Sequence, residues 1–281
     1  MIKNIIKGAI IGIANIIPGV SGGTMAVSMG IYDQLIHCIT HLFSEFKKNL
    51  KFLVPIFIGA AIGLVGLSFV IEYLFDVAPL ETNLLFIGLI IGGLPAMWKR
   101  VKGNAVKVPH AVAFVLFFAL VVGLAAFGNA EGVDVVLEPG VGKAIMLFIV
   151  GVIAAATMII PGVSGSMILL IMGYYNPIVT EINNFIRALI ALDFTALWRG
   201  VLIFVPFGLG VITGIFGIAK VIEIVFQKFP LLAYWAIIGL IVASPFAIVL
   251  LSDFGTITVL RVLVGIVALA AGTLVAYKLG E

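Results

Sequence analysis

Six stretches of this chain, 53–75, 83–98, 111–127, 201–226, 231–251 and 259–277, are almost wholly apolar. Each approaches or exceeds the roughly 20 residues a helix needs to cross the hydrocarbon core of a bilayer. None alternates polar and apolar residues as a barrel strand must, so they read as transmembrane helices. With 63% hydrophobic residues, 10% charged ones and a mean hydropathy of +1.32, the rest of the chain could not keep these runs in water. The expectation is an all-α polytopic membrane protein. One cysteine, Cys38, excludes an internal disulfide or a Cys-rich metal site, and a net charge of +3 without a basic run gives no nucleic-acid surface. No cofactor and no metal are expected.

The chain repeats itself. Ile16 to Gly22 are identical to Ile159 to Gly165, an offset of 143, and Met29, Gly30 and Tyr32 recur as Met172, Gly173 and Tyr175. Further on the offset becomes 151, pairing Pro55 with Pro206, Gly59 with Gly210, Gly63 with Gly214, Glu72 with Glu223, Pro79 with Pro230 and Gly88 with Gly239. This predicts a duplication, residues 1–128 and 143–281, with 129–142 as a polar, acidic, Gly/Pro-punctuated linker. The N-terminus has Lys3 and Lys7 before an apolar run and could pass for a signal peptide, but its recurrence inside the chain assigns it to the fold.

Each half opens with an apolar segment broken by PGVSG. The arm before the first break, 2–17, reaches about 24 Å as a helix and the arm after it, 24–32, about 13 Å, so neither crosses alone. A re-entrant hairpin is expected in each half, followed by an amphipathic interfacial helix and three spans. Charge orients the chain: Lys3, Lys7, Lys47, Lys48, Lys51, Lys99, Arg100, Lys102 and Lys107 fall on one side, Asp76, Glu81, Glu131, Asp134 and Glu138 on the other. The basic side is cytoplasmic, and a hairpin plus three spans is an odd number of crossings, so the halves are inverted and both termini cytoplasmic.

Proline ends a helix, and Gly22 and Gly23 let the backbone turn and approach a ligand. The helix that restarts has unpartnered amides and a positive dipole end, and Ser21, Thr24, Ser164 and Ser166 add hydroxyls. Pro18, Gly19, Ser21, Gly22, Gly23, Thr24, Pro161, Gly162, Ser164, Gly165, Ser166 and Arg261 are therefore the candidate cradle for an anion near mid-membrane. A close-packing kink with serines bonded back to the helix is the alternative. Glu72, Glu223 and Lys220 are candidate coupling or gating groups, protons being the candidate coupling ion; an ion pair between Lys220 and Glu223, one helical step apart, is the structural alternative. Neither Ser21 nor Ser164 has a base partner in sequence, and the three histidines lie elsewhere, which argues against an enzyme.

In "IPGVSGGTMA" with "GIYDQLI", and again in "IPGVSGSMILLIMGYY", the sequence resembles the bacterial polyprenyl-phosphate (undecaprenyl phosphate) transporters of the PopT type, long carried as a domain of unknown function. The resemblance spans essentially the whole chain. It implies recycling of undecaprenyl phosphate from the outer to the cytoplasmic leaflet of the bacterial cytoplasmic membrane, with a polyprenyl phosphate lipid and membrane lipids as partners. The residues alone reach only an anion, and a small-anion channel or exchanger with the same broken-helix site stays open.

Overall fold

The computed structural model describes residues 1–15, 21–66, 68–127 and 134–280. Among them there are thirteen α-helices and no strand: α1 Ile2–Ala14, α2 Gly22–Ser28, α3 Tyr32–Thr40, α4 Phe46–Ala61, α5 Ser68–Val77, α6 Pro79–Val101, α7 Val108–Phe127, α8 Val141–Ile159, α9 Gly165–Ile171, α10 Tyr175–Ala191, α11 Phe194–Lys228, α12 Pro230–Leu251 and α13 Val259–Gly280. A π-helical turn, Ile62–Gly66, continues α4.

The boundaries follow local chemistry. Pro79 and Pro230 occupy the first turns of α6 and α12, where a missing N–H costs nothing. Gly30 and Gly173 take φ of +67° and +74° just beyond α2 and α9, a conformation that stops a helix and favours glycine. Pro55, Pro95, Pro206 and Pro245 sit inside long helices, as membrane spans tolerate when neighbouring groups satisfy the freed carbonyls.

Among the described residues seven helices are long and apolar enough to cross a membrane: Phe46–Gly66, Pro79–Val101, Val108–Ala126, Val141–Ile159, Phe194–Lys228, Pro230–Leu251 and Val259–Gly280. Six were expected. The seventh is α8, the first arm of the second broken segment, which begins at Val141 and runs 19 residues, whereas its counterpart α1 has 13. Large apolar side chains on these helices, among them Phe57, Val65, Leu116, Ile212 and Val267, are exposed as lipid-facing groups would be.

The chain forms two compact units. The first comprises 1–127, 160–163 and 219–281; the second 128–159 and 164–218. In the first, α6 and α12 are the most enclosed spans, with Ile90, Ile241 and Ile248 fully buried, and every residue of the short helix α2 is buried. In the second, Leu137, Leu147, Ile178 and Ile203 form a small core against Leu169, Tyr174 and Phe207. The non-helical segment 134–140 belongs to this second unit and is pinned there: Val135 N–H donates to the Gly173 carbonyl at 3.0 Å and Arg199 donates to the Leu137 carbonyl at 3.2 Å.

Glycine sets how closely the helices approach. In the first unit Gly8 faces the Ile56 backbone, Gly59 that of Ile5 and Gly63 that of Ala9, joining α1 to α4. In the second unit Gly151 faces Phe207, Gly210 faces Phe148 and Gly214 faces Val152, joining α8 to α11. Both members of each second-unit contact are the sequence mates of the first-unit pair, at offsets of 143 and 151. A Cβ at any of these positions would meet backbone, which no rotamer change relieves.

Gly59→Leu and Gly210→Leu should each destabilise the detergent-solubilised protein by about 1–3 kcal/mol or more through overpacking. Gly217→Ala, where a Cβ meets nothing within 4 Å, should leave the thermal midpoint unchanged or raised. Equal midpoints for the Gly59 and Gly217 variants would refute glycine-limited packing.

Candidate functional site

Ser21 is the N-cap of α2: its backbone is extended, and its Oγ accepts the Thr24 N–H at 3.1 Å. The Ser21 and Thr24 hydroxyls share a 3.0 Å hydrogen bond. Both also accept one amide from the second motif copy, since Gly162 N–H donates to Thr24 Oγ1 at 2.7 Å and to Ser21 Oγ at 3.0 Å. Residues 160–163 belong to the first unit, so the first unit holds Ser21 to Thr24 together with Pro161 and Gly162. All three bonded residues are buried. Gly162 has φ of +80°, and a Cβ there would lie 3.0 Å from the Leu240 carbonyl.

The remainder of the two motifs is less enclosed. Gly22 N–H donates to Asn15 Oδ1 at 3.3 Å. In the second unit, Ser164 is the N-cap of α9 without a side-chain cap bond; its hydroxyl instead meets that of Ser166 at 2.9 Å in an exposed position. Gly165 is buried against Met158 and Ala154 of α8. Pro18 and Gly19 lie outside the described residues.

Arg261 is not brought to these loops by any of its contacts. It donates to the carbonyls of Val77 and Thr256 and lies 3.7 Å from Glu81, tying the start of α13 to the corner between α5 and α6. Glu72 lies on α5, and its side chain is outside the described residues. Glu223 is buried on α11, with the Lys220 ammonium 2.7 Å from its Oε2. His41 Nδ1 lies 3.2 Å and His37 Nδ1 3.9 Å from Glu223 Oε1. A sequence reading that set the histidines apart missed this convergence; the His37 to His41 spacing of four, which puts both on one helical face, was the available signal.

Two cavities of the first unit were also not foreseen. One, of about 210 Å³, is lined by Gly30, Tyr32, Asp33, Lys99 and Arg100 among others. There the Tyr234 hydroxyl donates to Asp33 Oδ2 at 3.0 Å, Arg100 lies 3.5 Å from the same oxygen, and its guanidinium stacks over the Tyr234 ring at 5.7 Å. The other, of about 680 Å³, is an almost wholly apolar groove lined by Ile91, Leu94, Pro95, Trp98, Phe114 and Trp235, with Ile238 and Val242. Both cavities are lined in part by α6: Trp98 lines the groove while Lys99 and Arg100 line the polar cavity, and Tyr234, next in sequence to Trp235 of the groove, lies under Arg100. Outside the spans, burial pushes the Cys38 thiol up, away from the reactive thiolate, and the Lys48 ammonium holds the exposed Glu45 carboxyl below its usual range.

A family model described as VCA0040-like, undecaprenyl phosphate translocase-like, matches residues 11–261. A polyprenyl-phosphate transporter of Staphylococcus aureus is 31% identical over 248 residues, covering 87% of this chain and 85% of its own length. One from Vibrio cholerae is 29% identical over 213 residues, covering 71% of this chain and 66% of its own. No solved structure matches the chain. The chain belongs to the VCA0040-like, undecaprenyl phosphate translocase-like family.

Proposed function

We propose that this protein is a transporter of polyprenyl phosphate, undecaprenyl phosphate above all, that returns the lipid from the outer to the cytoplasmic leaflet. The observation that carries this reading over a small-anion channel is that α6 lines two cavities, a polar one with Lys99, Arg100 and Asp33 and an apolar groove of about 680 Å³. A small inorganic anion has no use for the groove, whereas a lipid phosphate needs both. Arg100 suits a phosphate because its planar fork donates two parallel hydrogen bonds. The names of the two relatives agree with this substrate.

In this proposal the PGVSG segments are re-entrant. α1 and α2, of 13 and 7 residues, reach about 20 Å and 10 Å, and α9 reaches about 10 Å, so none crosses by itself. α8 would enter and turn at Gly162 without leaving on the far side. The glycine contacts that recur at the duplication's offsets support two halves, 1–128 and 143–281, and the charge distribution supports their inversion, with both termini cytoplasmic. The phosphate head passes the broken helices near mid-depth while its tail stays in lipid. Ser164 and Ser166, whose hydroxyls are exposed, are the donors available to it; Ser21 and Thr24 already serve the Gly162 amide. Glu72 and Glu223 are the proposed proton-coupling gates, with Lys220 holding Glu223 in place.

In vesicles, polyprenyl phosphate should move across the bilayer and chloride should not; chloride flux without lipid flux would reverse the assignment. Arg100→Gln should lower lipid transport at least tenfold. Ser164→Ala should weaken phosphate binding with little change in stability, whereas Thr24→Val, which deprives the Gly162 N–H of its shorter partner, should cost about 1–3 kcal/mol of stability. Cysteines placed at Asp134 and Lys102 should label from outside and only after permeabilisation, respectively. Glu72→Gln and Glu223→Gln should each blunt the pH dependence of transport, and wild-type rates and pH profiles in both would leave these carboxylates as scaffold.

A further inference from the structure

The structure assigns a divalent transition-metal site, of the zinc class, to His37, His41 and Glu223. One donor atom from each lies within 4.8 Å of the others. The three come from two elements far apart in sequence: α3 and the residue that ends it supply the histidines, and α11 supplies the carboxylate. All three lie in the first unit.

The donor set suits the ion. Two imidazoles and one carboxylate, with no thiolate, form a combination that zinc accepts, and three protein ligands leave a position open. Around a tetrahedral zinc with bonds of about 2.0–2.1 Å, neighbouring donors stand about 3.3 Å apart. His41 Nδ1 and Glu223 Oε1 are already 3.2 Å apart. His37 Nδ1 is 3.9 Å from that oxygen, and its ring, with a side chain 46% exposed, is free to turn the remaining few tenths of an ångström. The two rings stack with centroids 4.3 Å apart and an interplanar angle of 25°, so the exposed His37 ring must turn out of the stack for both nitrogens to aim at one ion.

The surroundings fix the ligands. Lys220 Nζ holds Glu223 Oε2 at 2.7 Å, leaving Oε1 turned toward the histidines. The Thr40 hydroxyl lies 3.0 Å from His41 Nδ1 and reaches the Ile36 and His37 carbonyls, so it can release the imidazole nitrogen and keep a partner. Asn49 anchors the same turn by donating to the His41 carbonyl at 2.8 Å. The open position would take water or an anionic oxygen, a phosphate oxygen included. The metal assignment stands on the donor set and not on the transport reading, and in the metal-bound state Glu223, held deprotonated by the ion, does not serve as a proton gate.

The test is a zinc titration by calorimetry on the full-length, tag-free protein in detergent, with cobalt absorption as a second probe of the ligand field. One zinc per chain should bind at micromolar or lower concentration. His41→Ala and His37→Ala should each weaken binding at least about thirtyfold, and Glu223→Gln at least about tenfold. His110→Ala, the third histidine of the chain and no part of the cluster, should change nothing. His37 is half exposed, so its variant should fold even if the buried Glu223 variant does not. Failure of the wild type to bind zinc at micromolar concentration, or undiminished binding in the His37→Ala variant, would overturn the assignment.

Discussion

A buried amide that leaves its helix has no water to turn to, and the broken segments of this chain depend on how that problem is met. Gly162 is the clearest instance. Its N–H is directed at two hydroxyls supplied 138 and 141 residues earlier, and its positive φ turns the backbone where a side chain would strike the Leu240 carbonyl. Remove either hydroxyl and the donor is half-satisfied in a buried setting; add a Cβ and the turn is strained. The Pro-Gly interruption is therefore stable here because the other copy of the same motif accepts its amide.

Close packing carries the rest. Little hydrophobic force draws one apolar helix to another in lipid, so association relies on contact area and weak backbone contacts. Glycines on α1, α4, α8 and α11 bring helix backbones together in pairs, and Gly88 and Gly239 do the same for α6 against α13 and α12 against α7. These last two pairs each join a span from one half of the sequence to a span from the other. Within the first unit, therefore, helices distant in sequence interlock: α6 packs on α13 and α12 on α7.

What the sequence made legible was what hydropathy and backbone chemistry encode locally. Runs of apolar residues marked the spans, proline and glycine marked the breaks, and charge on α10 marked an amphipathic helix that exists as Tyr175–Ala191. The length of α8 was missed because an exact repeat invites equal arms, while the residues upstream of the repeat, Val141 onward, are apolar enough to extend the helix. The contacts between distant residues were illegible. Tyr234 and Asp33 are 201 positions apart, and Arg261 reaches across 184 to Val77. Nothing local to either partner announces the other; Arg261 in particular has the residue type of an anion ligand but spends its donors on carbonyls and Glu81.

The two motif copies also show how two changed residues alter the bonding around a shared turn. The seven identical residues end at Gly22 and Gly165, after which the first copy continues Gly23-Thr24 and the second Ser166-Met167. Thr24 stands at the third position of α2, where its amide meets the Ser21 cap and its hydroxyl completes a pair able to grip Gly162. Met167 occupies the corresponding place in α9 and has no hydroxyl. Ser164 makes no cap bond and pairs instead with Ser166, leaving that pair exposed. The repeated motif thus yields two different hydroxyl pairs, one bonded to the Gly162 amide and buried, the other bonded only to itself and exposed.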